Sequence, residues 1–172
     1  MQLRNKRWLS LLVALGLLQG ISRFAWADSY EARVVRVTDG DTIVVLDDKQ
    51  TQHRIRLAAI DAPERKQAFG QVSRQHLAQL VLKKRVTVVW TNVDRYQRQI
   101  GKIIVDGQDA NLAQVQAGLA WHYKRYAKEQ PEEKRTAYAD AETDARRNDL
   151  GLWRDATPVP PWEFRRSAKQ RR

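Results

Sequence analysis

The chain alternates polar and apolar positions in several short stretches that follow residue 30. Residues 30–37, 41–46 and 52–60 are rich in β-branched side chains, and from Arg54 to Leu57 polar and apolar residues alternate. Such patterns are typical of strands with one buried face. Residues 85–93 and 100–107 have the same character. The pattern therefore predicts five strands.

Three other stretches have helical spacing. Residues 66–84 place apolar residues three and four positions apart, and we expect these to face the core: Phe69, Val72, His76, Leu77, Leu80 and Val81. A second helix is predicted over residues 109–120, and a third from Pro131 toward Asn148 with two acids in its first turn. Five strands, with one helix after the third strand and two more at the end, predict an α+β fold: a five-stranded OB-fold β-barrel flanked by three helices.

The two ends of the chain differ from this central part. Residues 1–27 have a basic start, an apolar run and a small-x-small triplet at 25–27, which is typical of a secretory signal peptide. An uncleaved membrane anchor is the alternative, but the apolar run is shorter than the roughly 20 residues that a span needs. We therefore expect a secreted or periplasmic protein with its domain over residues 28–155. Residues 156–172 are predicted to be an irregular, basic, proline-containing tail.

Charge indicates the kind of partner. The chain has 31 Lys and Arg against 20 Asp and Glu, and the predicted signal peptide contributes four of those cations and no acid. The mature protein thus stays basic, which favours a polyanion such as DNA or RNA, although solubility alone is an alternative explanation. The absence of cysteine excludes disulfides, thiolate metal sites and cysteine nucleophiles.

Two acidic clusters are candidates for a metal site. Asp39 and Asp41 lie in "DGDT" at the entrance of the second strand, and Asp61 and Glu64 lie in "IDAPE" at the end of the third. Each alone could be an ordinary turn. Adjacent antiparallel strands could bring them together, and clustered carboxylates need a neutralising ion. Carboxylate and carbonyl oxygens favour Ca²⁺ or Mg²⁺ over Zn²⁺.

Two arginines extend this set toward phosphate chemistry. Arg56 precedes Asp61 on the same strand, and Arg98 lies in the polar connection "DRYQRQ". A guanidinium matches phosphate oxygens and stabilises the negative charge of a pentacoordinate phosphorus transition state. With a metal ion that activates water and Glu64 to accept or orient the water's proton, these residues would cleave a phosphodiester.

The ordered motifs "DGDT", "RLAAIDAPE", "DRYQR", "NLAQVQAGLA" and "GLW" closely resemble the staphylococcal nuclease family over about residues 30–153. The resemblance implies an OB-fold, Ca²⁺-dependent endonuclease that acts on DNA and RNA and leaves 3′-phosphate ends. It assigns Asp41, Asp61 and the Ala62 carbonyl to the ion, with Asp39 beside these ligands. It assigns catalysis to Arg56, Glu64 and Arg98.

The resemblance assigns substrate contacts less directly. Arg95 and Tyr96 match a basic and aromatic pair near the terminal phosphate, and Tyr123 matches an aromatic that stacks on a base, although core packing explains Tyr123 equally well. Gln97 stands where the family commonly has glycine. Two other classes remain open: a noncatalytic nucleic-acid-binding OB module, which would not need all of these acids and arginines, and a structural calcium site, which would not need the arginines.

Overall fold

A computed structural model describes residues 28–170. Its strands are β1 (Asp28–Asp39), β2 (Thr42–Asp47), β3 (Gln52–Leu57), β4 (Ile60–Asp61), β5 (Arg85–Val93), β6 (Gln99–Val105), β7 (Gln108–Asp109) and β8 (Trp121–His122). Its α-helices are α1 (Gly70–Val81), α2 (Ala110–Gln116), α3 (Glu132–Arg147) and α4 (Pro161–Gln170). Short 3₁₀ helices cover Lys124–Glu129 and Gly151–Arg154. The predicted signal peptide lies outside the described residues.

Five strands close into a barrel. The order β3-β2-β1-β5-β6 is antiparallel throughout, and β3 then pairs with β6 in parallel, with Ile55 opposite Gln99 and Leu57 opposite Gly101. Alternate residues of each strand fill the interior, so that Ile43, Ile55 and Ile103 are fully buried. The predicted α+β OB-fold barrel is confirmed, with one α-helix more than the three expected.

Helix α1 begins later than the sequence pattern predicts, at Gly70 instead of residue 66. Its buried residues are Gly70, Ser73, Leu77 and Val81. The expectation that Val72 faces the core is wrong, because its side chain is 49% exposed. The small polar Ser73 takes the core position because its hydroxyl donates to the Leu119 carbonyl at 2.7 Å.

A two-stranded sheet fixes the end of the predicted third strand. That strand stops at Leu57, and after a turn β4 pairs with β8, which places Asp61 opposite Trp121. Ala59 has a positive φ of 66° at the turn, which explains why the strand does not continue to Ile60. The segment carrying Asp61 is thereby held between the barrel and the region after α2.

The prediction of an irregular tail is wrong for residues 161–170, which form α4. Pro161 begins the helix and is buried, and Trp162 packs edge-on against Trp121 at a ring-centroid distance of 5.5 Å. Gln67 also donates to the Val159 carbonyl at 2.5 Å. These contacts hold α4 against the strand ends that carry the predicted site. Among the helices described, none has the length and apolar character needed to cross a membrane.

Candidate functional site

The turn between β1 and β2 shapes one side of the site. Asp39 pairs with Thr42, so Gly40 and Asp41 are the turn residues, and the Asp41 amide donates to the Asp39 carboxylate at 3.1 Å. Gly40 has no positive φ. It is required for space, since a Cβ there would overlap the side chains of Ser73 and Ala62. Close packing at Gly40 therefore brings the turn against the segment after β4.

Asp41 bridges that turn to the "IDAPE" segment. It is 7% exposed, and its Oδ2 accepts a hydrogen bond from the Ala62 amide at 2.7 Å. The same oxygen lies 3.1 Å from Nη2 of Arg56, while Oδ1 accepts from the Thr42 hydroxyl at 3.2 Å. The two acidic clusters of the sequence are thus in direct contact, as predicted from the antiparallel strand order.

Arg56 is fixed between two carboxylates and two carbonyls. Its Nη1 donates to the carbonyls of Leu57 and Ile60 at 2.7 and 2.8 Å. Its Nη2 donates to Oδ1 of Asp61 at 2.9 Å and also contacts Asp41. The side chain is only 15% exposed. These bonds use the terminal N–H groups of the guanidinium and leave it little freedom to reorient.

Asp61 and Glu64 share a second guanidinium, that of Arg165, which the sequence pattern did not predict. Arg165 of α4 donates from Nη1 and Nη2 to the two oxygens of Asp61 at 3.2 and 2.7 Å. Its Nη1 also donates to Oε1 of Glu64 at 2.8 Å. Asp61 is 1% exposed, whereas the Arg165 side chain is 46% exposed. A partly solvated cation from the C-terminal helix therefore covers both acids of "IDAPE".

Arg98 approaches from the connection between β5 and β6. It is held by Asp94, which accepts from the Arg98 backbone amide at 3.0 Å and from Nε at 2.8 Å. Its Nη1 reaches the Thr42 hydroxyl at 3.5 Å. Gln97 adopts a left-handed φ of 59°, which explains why glycine would suit this position. The connection nevertheless aims Arg98 at Thr42, the neighbour of Asp41.

The predicted substrate residues lie in two places. Tyr96 is 56% exposed, with the guanidiniums of Arg95 and Arg98 4.8 and 5.4 Å from its ring centroid, so these three residues form one basic and aromatic surface. Tyr123 instead packs at 5.7 Å from the Trp162 ring of α4. Base stacking by Tyr123 stays a prediction, whereas its packing against Trp162 is observed.

Burial shifts the pKa values of several charged groups in this site. Burial, with the neighbouring Asp41 carboxylate adding to the effect, raises the pKa of Asp39 to about 7. Burial also raises the pKa of Asp61, although hydrogen bonds from Arg165 and the charge of Arg56 favour its ionised form. Burial alone would lower the pKa of Arg165, but its bonds to Asp61 and Glu64 raise it. The ionised form of Asp61 is therefore favoured by Arg165 and Arg56 against the effect of burial.

The oxygens of the site do not form a preassembled metal centre in the part of the chain that the structure describes. Within residues 28–170, no group of three or more His, Cys, Asp or Glu side chains is arranged to hold an ion. Guanidiniums stand between the acids: Arg56 joins Asp41 to Asp61, and Arg165 joins Asp61 to Glu64. The available atoms are nevertheless hard oxygens, and Arg165 shows that a positive group is accommodated there. The oxygens of Asp41, Asp61 and Glu64 are of the kind that a hard divalent cation takes, and such an ion would have to displace the Arg165 guanidinium.

Fold and site together define an OB-fold barrel protein with a paired carboxylate and arginine centre at one barrel edge. Residues 54–155 match the family model described as staphylococcal nuclease homologue. A "Micrococcal nuclease" of Shigella flexneri is 42% identical over 166 residues, covering 91% of this chain and 92% of the relative. An "Uncharacterized endonuclease" of Haemophilus influenzae is 38% identical over 160 residues, covering 93% and 84%. The chain belongs to the staphylococcal nuclease family.

Proposed function

We propose that this chain is a Ca²⁺-dependent, nonspecific endonuclease that hydrolyses phosphodiester bonds of DNA and RNA and leaves 3′-phosphate ends. Family membership and relatives named as nucleases support this proposal. The basic charge of the chain is consistent with a nucleic-acid substrate. The signal-like residues 1–27 support export to the periplasm or outside the cell.

One observation carries the proposal: a continuous series of polar contacts crosses the site. It runs through the side chains of Arg98, Thr42, Asp41, Arg56, Asp61, Arg165 and Glu64. Residues from both acidic motifs and both predicted arginines therefore meet in one place. A noncatalytic binding module would have no need to bury Asp41 and Asp61 beside two arginines, because burying charge is costly unless the charges have a task.

The two arginines are suited to hold one phosphate from different sides. Arg56 comes from β3 and is held by its carbonyl bonds, whereas Arg98 comes from the β5–β6 connection. Both contact the Asp41–Thr42 pair. Arg98 is held by Asp94 before the reaction, whereas Arg56 would turn terminal donors from its present partners to the phosphoryl oxygens when substrate binds.

The acids have separate tasks in this proposal. The carboxylates of Asp41 and Asp61 and the carbonyl of Ala62 would hold Ca²⁺, with Asp39 supporting the turn from beside them. When bound, the ion would polarise the phosphate and make water a better nucleophile. Glu64 is 40% exposed, so it can reach a water molecule and accept or orient its proton. Arg165 must leave Asp61 and Glu64 for these tasks.

Substrate contacts beyond the scissile phosphate are assigned to Arg95 and Tyr96, whose shared exposed surface lies beside Arg98. Tyr123 is assigned to base stacking, for which its ring would have to reach past Trp162. Stacking of bases on aromatic rings tolerates any sequence, which suits a nonspecific enzyme.

The test uses residues 28–172 with end-labelled single-stranded DNA and RNA, in Ca²⁺ or in chelator. We expect cleavage only with Ca²⁺. The products should carry 5′-hydroxyls that polynucleotide kinase labels directly, and 3′ ends that terminal transferase extends only after phosphatase treatment. Binding without cleavage in both conditions would refute the enzyme, and cleavage in chelator would refute the Ca²⁺ requirement.

A further inference from the structure

Four arginines line a groove outside the proposed catalytic centre. The groove has a volume of about 280 Å³ and is bordered by Arg36, Val37 and Thr38 of β1, Arg54 of β3, Arg65 and Arg74. Arg65 follows Glu64 directly in the chain, and Arg74 lies on α1. Four parts of the fold thus contribute one cation each to a single concave surface.

Among residues 28–170, these four arginines have no acidic partner. Within the part of the chain that the structure describes, none of them lies within 4.0 Å of a carboxylate, and the one hydrogen bond of their side chains is from Arg74 to Gln71. In contrast, Arg56, Arg98 and Arg165 each pair with an aspartate. The groove therefore keeps four positive charges close together without neutralisation, which costs electrostatic energy unless an anion binds there.

The strand register explains how the groove forms. Arg36 and Arg54 both pair with Val44, one from each neighbouring strand, so they flank Val44 on the outer face of the barrel. Val44 lies outside the core cluster but is only 1% exposed. The two arginines therefore lie on either side of a buried valine.

The same register connects the groove to the catalytic centre. Arg54 and Arg56 are two residues apart on β3, so both side chains lie on its outer face, about 6.6 Å apart along the strand. Arg65 is adjacent to Glu64. A bound chain of regularly spaced negative charges could pass from Arg56 into the groove without leaving the surface.

We propose that this groove binds the phosphodiester backbone of the substrate strand beyond the scissile bond. The ligand class is a polynucleotide, because four unpaired guanidiniums along an open surface match several phosphates in a row. The inference rests on the proposed nuclease function, since the bound strand is taken to be the substrate. The binding test, however, does not require cleavage. It predicts that long substrates are favoured over short ones.

The test compares two double variants of residues 28–172 with equal loss of charge. Arg36→Gln/Arg54→Gln removes two groove cations. Lys134→Gln/Arg154→Gln is the matched control and removes two exposed cations from α3 and the last 3₁₀ helix. Binding of a fluorescent 20-nucleotide single strand is measured in chelator over a range of salt, and thermal unfolding checks the fold. In parallel, kcat/KM is measured in Ca²⁺ for the same 20-mer and for a thymidine dinucleotide that has a single phosphodiester bond.

We expect the groove variant to bind the 20-mer about tenfold more weakly and to lower the slope of log K against log salt by about 1.4, since each phosphate contact on a single strand contributes about 0.7. The ratio of kcat/KM for the 20-mer to that for the dinucleotide should fall about tenfold, as expected for lost ground-state contacts to the longer chain. Arg36→Lys/Arg54→Lys should restore the salt slope, because it keeps both charges. The control should change each value less than twofold.

Equal weakening in the groove and control variants would overturn the proposal, since it would show an effect of net charge alone. An unchanged salt slope in the groove variant would overturn it as well. A failure of the nuclease proposal looks different: no variant, including the unmodified chain, would cleave either substrate, while the binding comparison would still decide whether the groove holds a polynucleotide.

Discussion

Arg165 is expected to compete with Ca²⁺ for the carboxylates of the proposed site. Its guanidinium donates three hydrogen bonds to Asp61 and Glu64, the acids that the proposal assigns to metal binding and to catalysis. A guanidinium and Ca²⁺ at the same carboxylate oxygens repel each other, so each should weaken the binding of the other. Replacing Arg165 with glutamine should therefore strengthen Ca²⁺ binding while weakening the fold in the absence of the ion.

The size of the effect follows from the contacts. Hydrogen bonds to charged groups contribute about 1.5–3 kcal/mol when buried, but Arg165 is half exposed, so we assign about 1–2 kcal/mol to its contacts. If binding of the ion requires these contacts to break, their removal raises the Ca²⁺ affinity by the same free energy, about 5- to 30-fold. Asp61 keeps its bond to Arg56, so the variant should still fold.

Calorimetric titration of Ca²⁺ into residues 28–172 measures this affinity directly, and thermal unfolding with and without Ca²⁺ gives a second readout. Arg166→Gln is the matched control: it lies on the same helix and is exposed, and it has no carboxylate contact among the described residues. In chelator, Arg165→Gln should have a lower Tm than this control. Addition of Ca²⁺ should raise the Tm of Arg165→Gln more than that of the control. Equal or weaker Ca²⁺ binding by Arg165→Gln would refute the competition.

Two further predictions concern the scaffold. Gly40→Ala should lower the free energy of unfolding by about 1–3 kcal/mol in urea titrations, because its Cβ would overlap Ala62 and Ser73, and Ser73 is held by its bond to Leu119. A loss below about 0.5 kcal/mol would show that the turn adapts. The hydrogen bond from His53 lowers the pKa of Asp47, so this pair should stabilise the fold above the ordinary aspartate pKa and lose that effect as pH falls through the lowered value. Asp47→Asn should thus destabilise at pH 7 but not in strong acid, and a pH-independent difference would contradict this.

The strands and the contact between the two acidic motifs were predictable because both depend on local patterns. Alternation in β3 places Ile55 inside and Arg56 outside, and antiparallel pairing sets Thr42 opposite Arg56, close to the turn that leads to Ala62. The motif spacing in the sequence therefore contains most of the information about this half of the site.

The contribution of α4 was not predictable from the sequence pattern. Arg165 lies 104 residues from Asp61 along the chain, and its segment is short, basic and preceded by prolines. The helix is held by tertiary contacts such as Trp162 on Trp121, which no local pattern reveals. The sequence does offer one signal: two aromatic residues, Trp162 and Phe164, lie close together, which is unusual in a solvated tail.

The arginine groove also required the structure. Arg36, Arg54 and Arg74 are scattered along the chain and each has the appearance of an ordinary surface cation. Only the register of β1 and β3 against Val44 shows that two of them face the same way. Their lack of acidic partners is likewise a property of three-dimensional packing.

The central claim is that the connected acids and arginines form the catalytic centre of a nuclease. Its most direct test is the single-turnover cleavage rate of a single-stranded 20-mer in saturating Ca²⁺, for the unmodified protein, Glu64→Gln and the control Glu163→Gln. Glu64→Gln should cleave about 10²- to 10⁴-fold more slowly while still unfolding cooperatively on heating, and Glu163→Gln should match the unmodified rate. A Glu64→Gln rate within twofold of the unmodified protein would contradict the account.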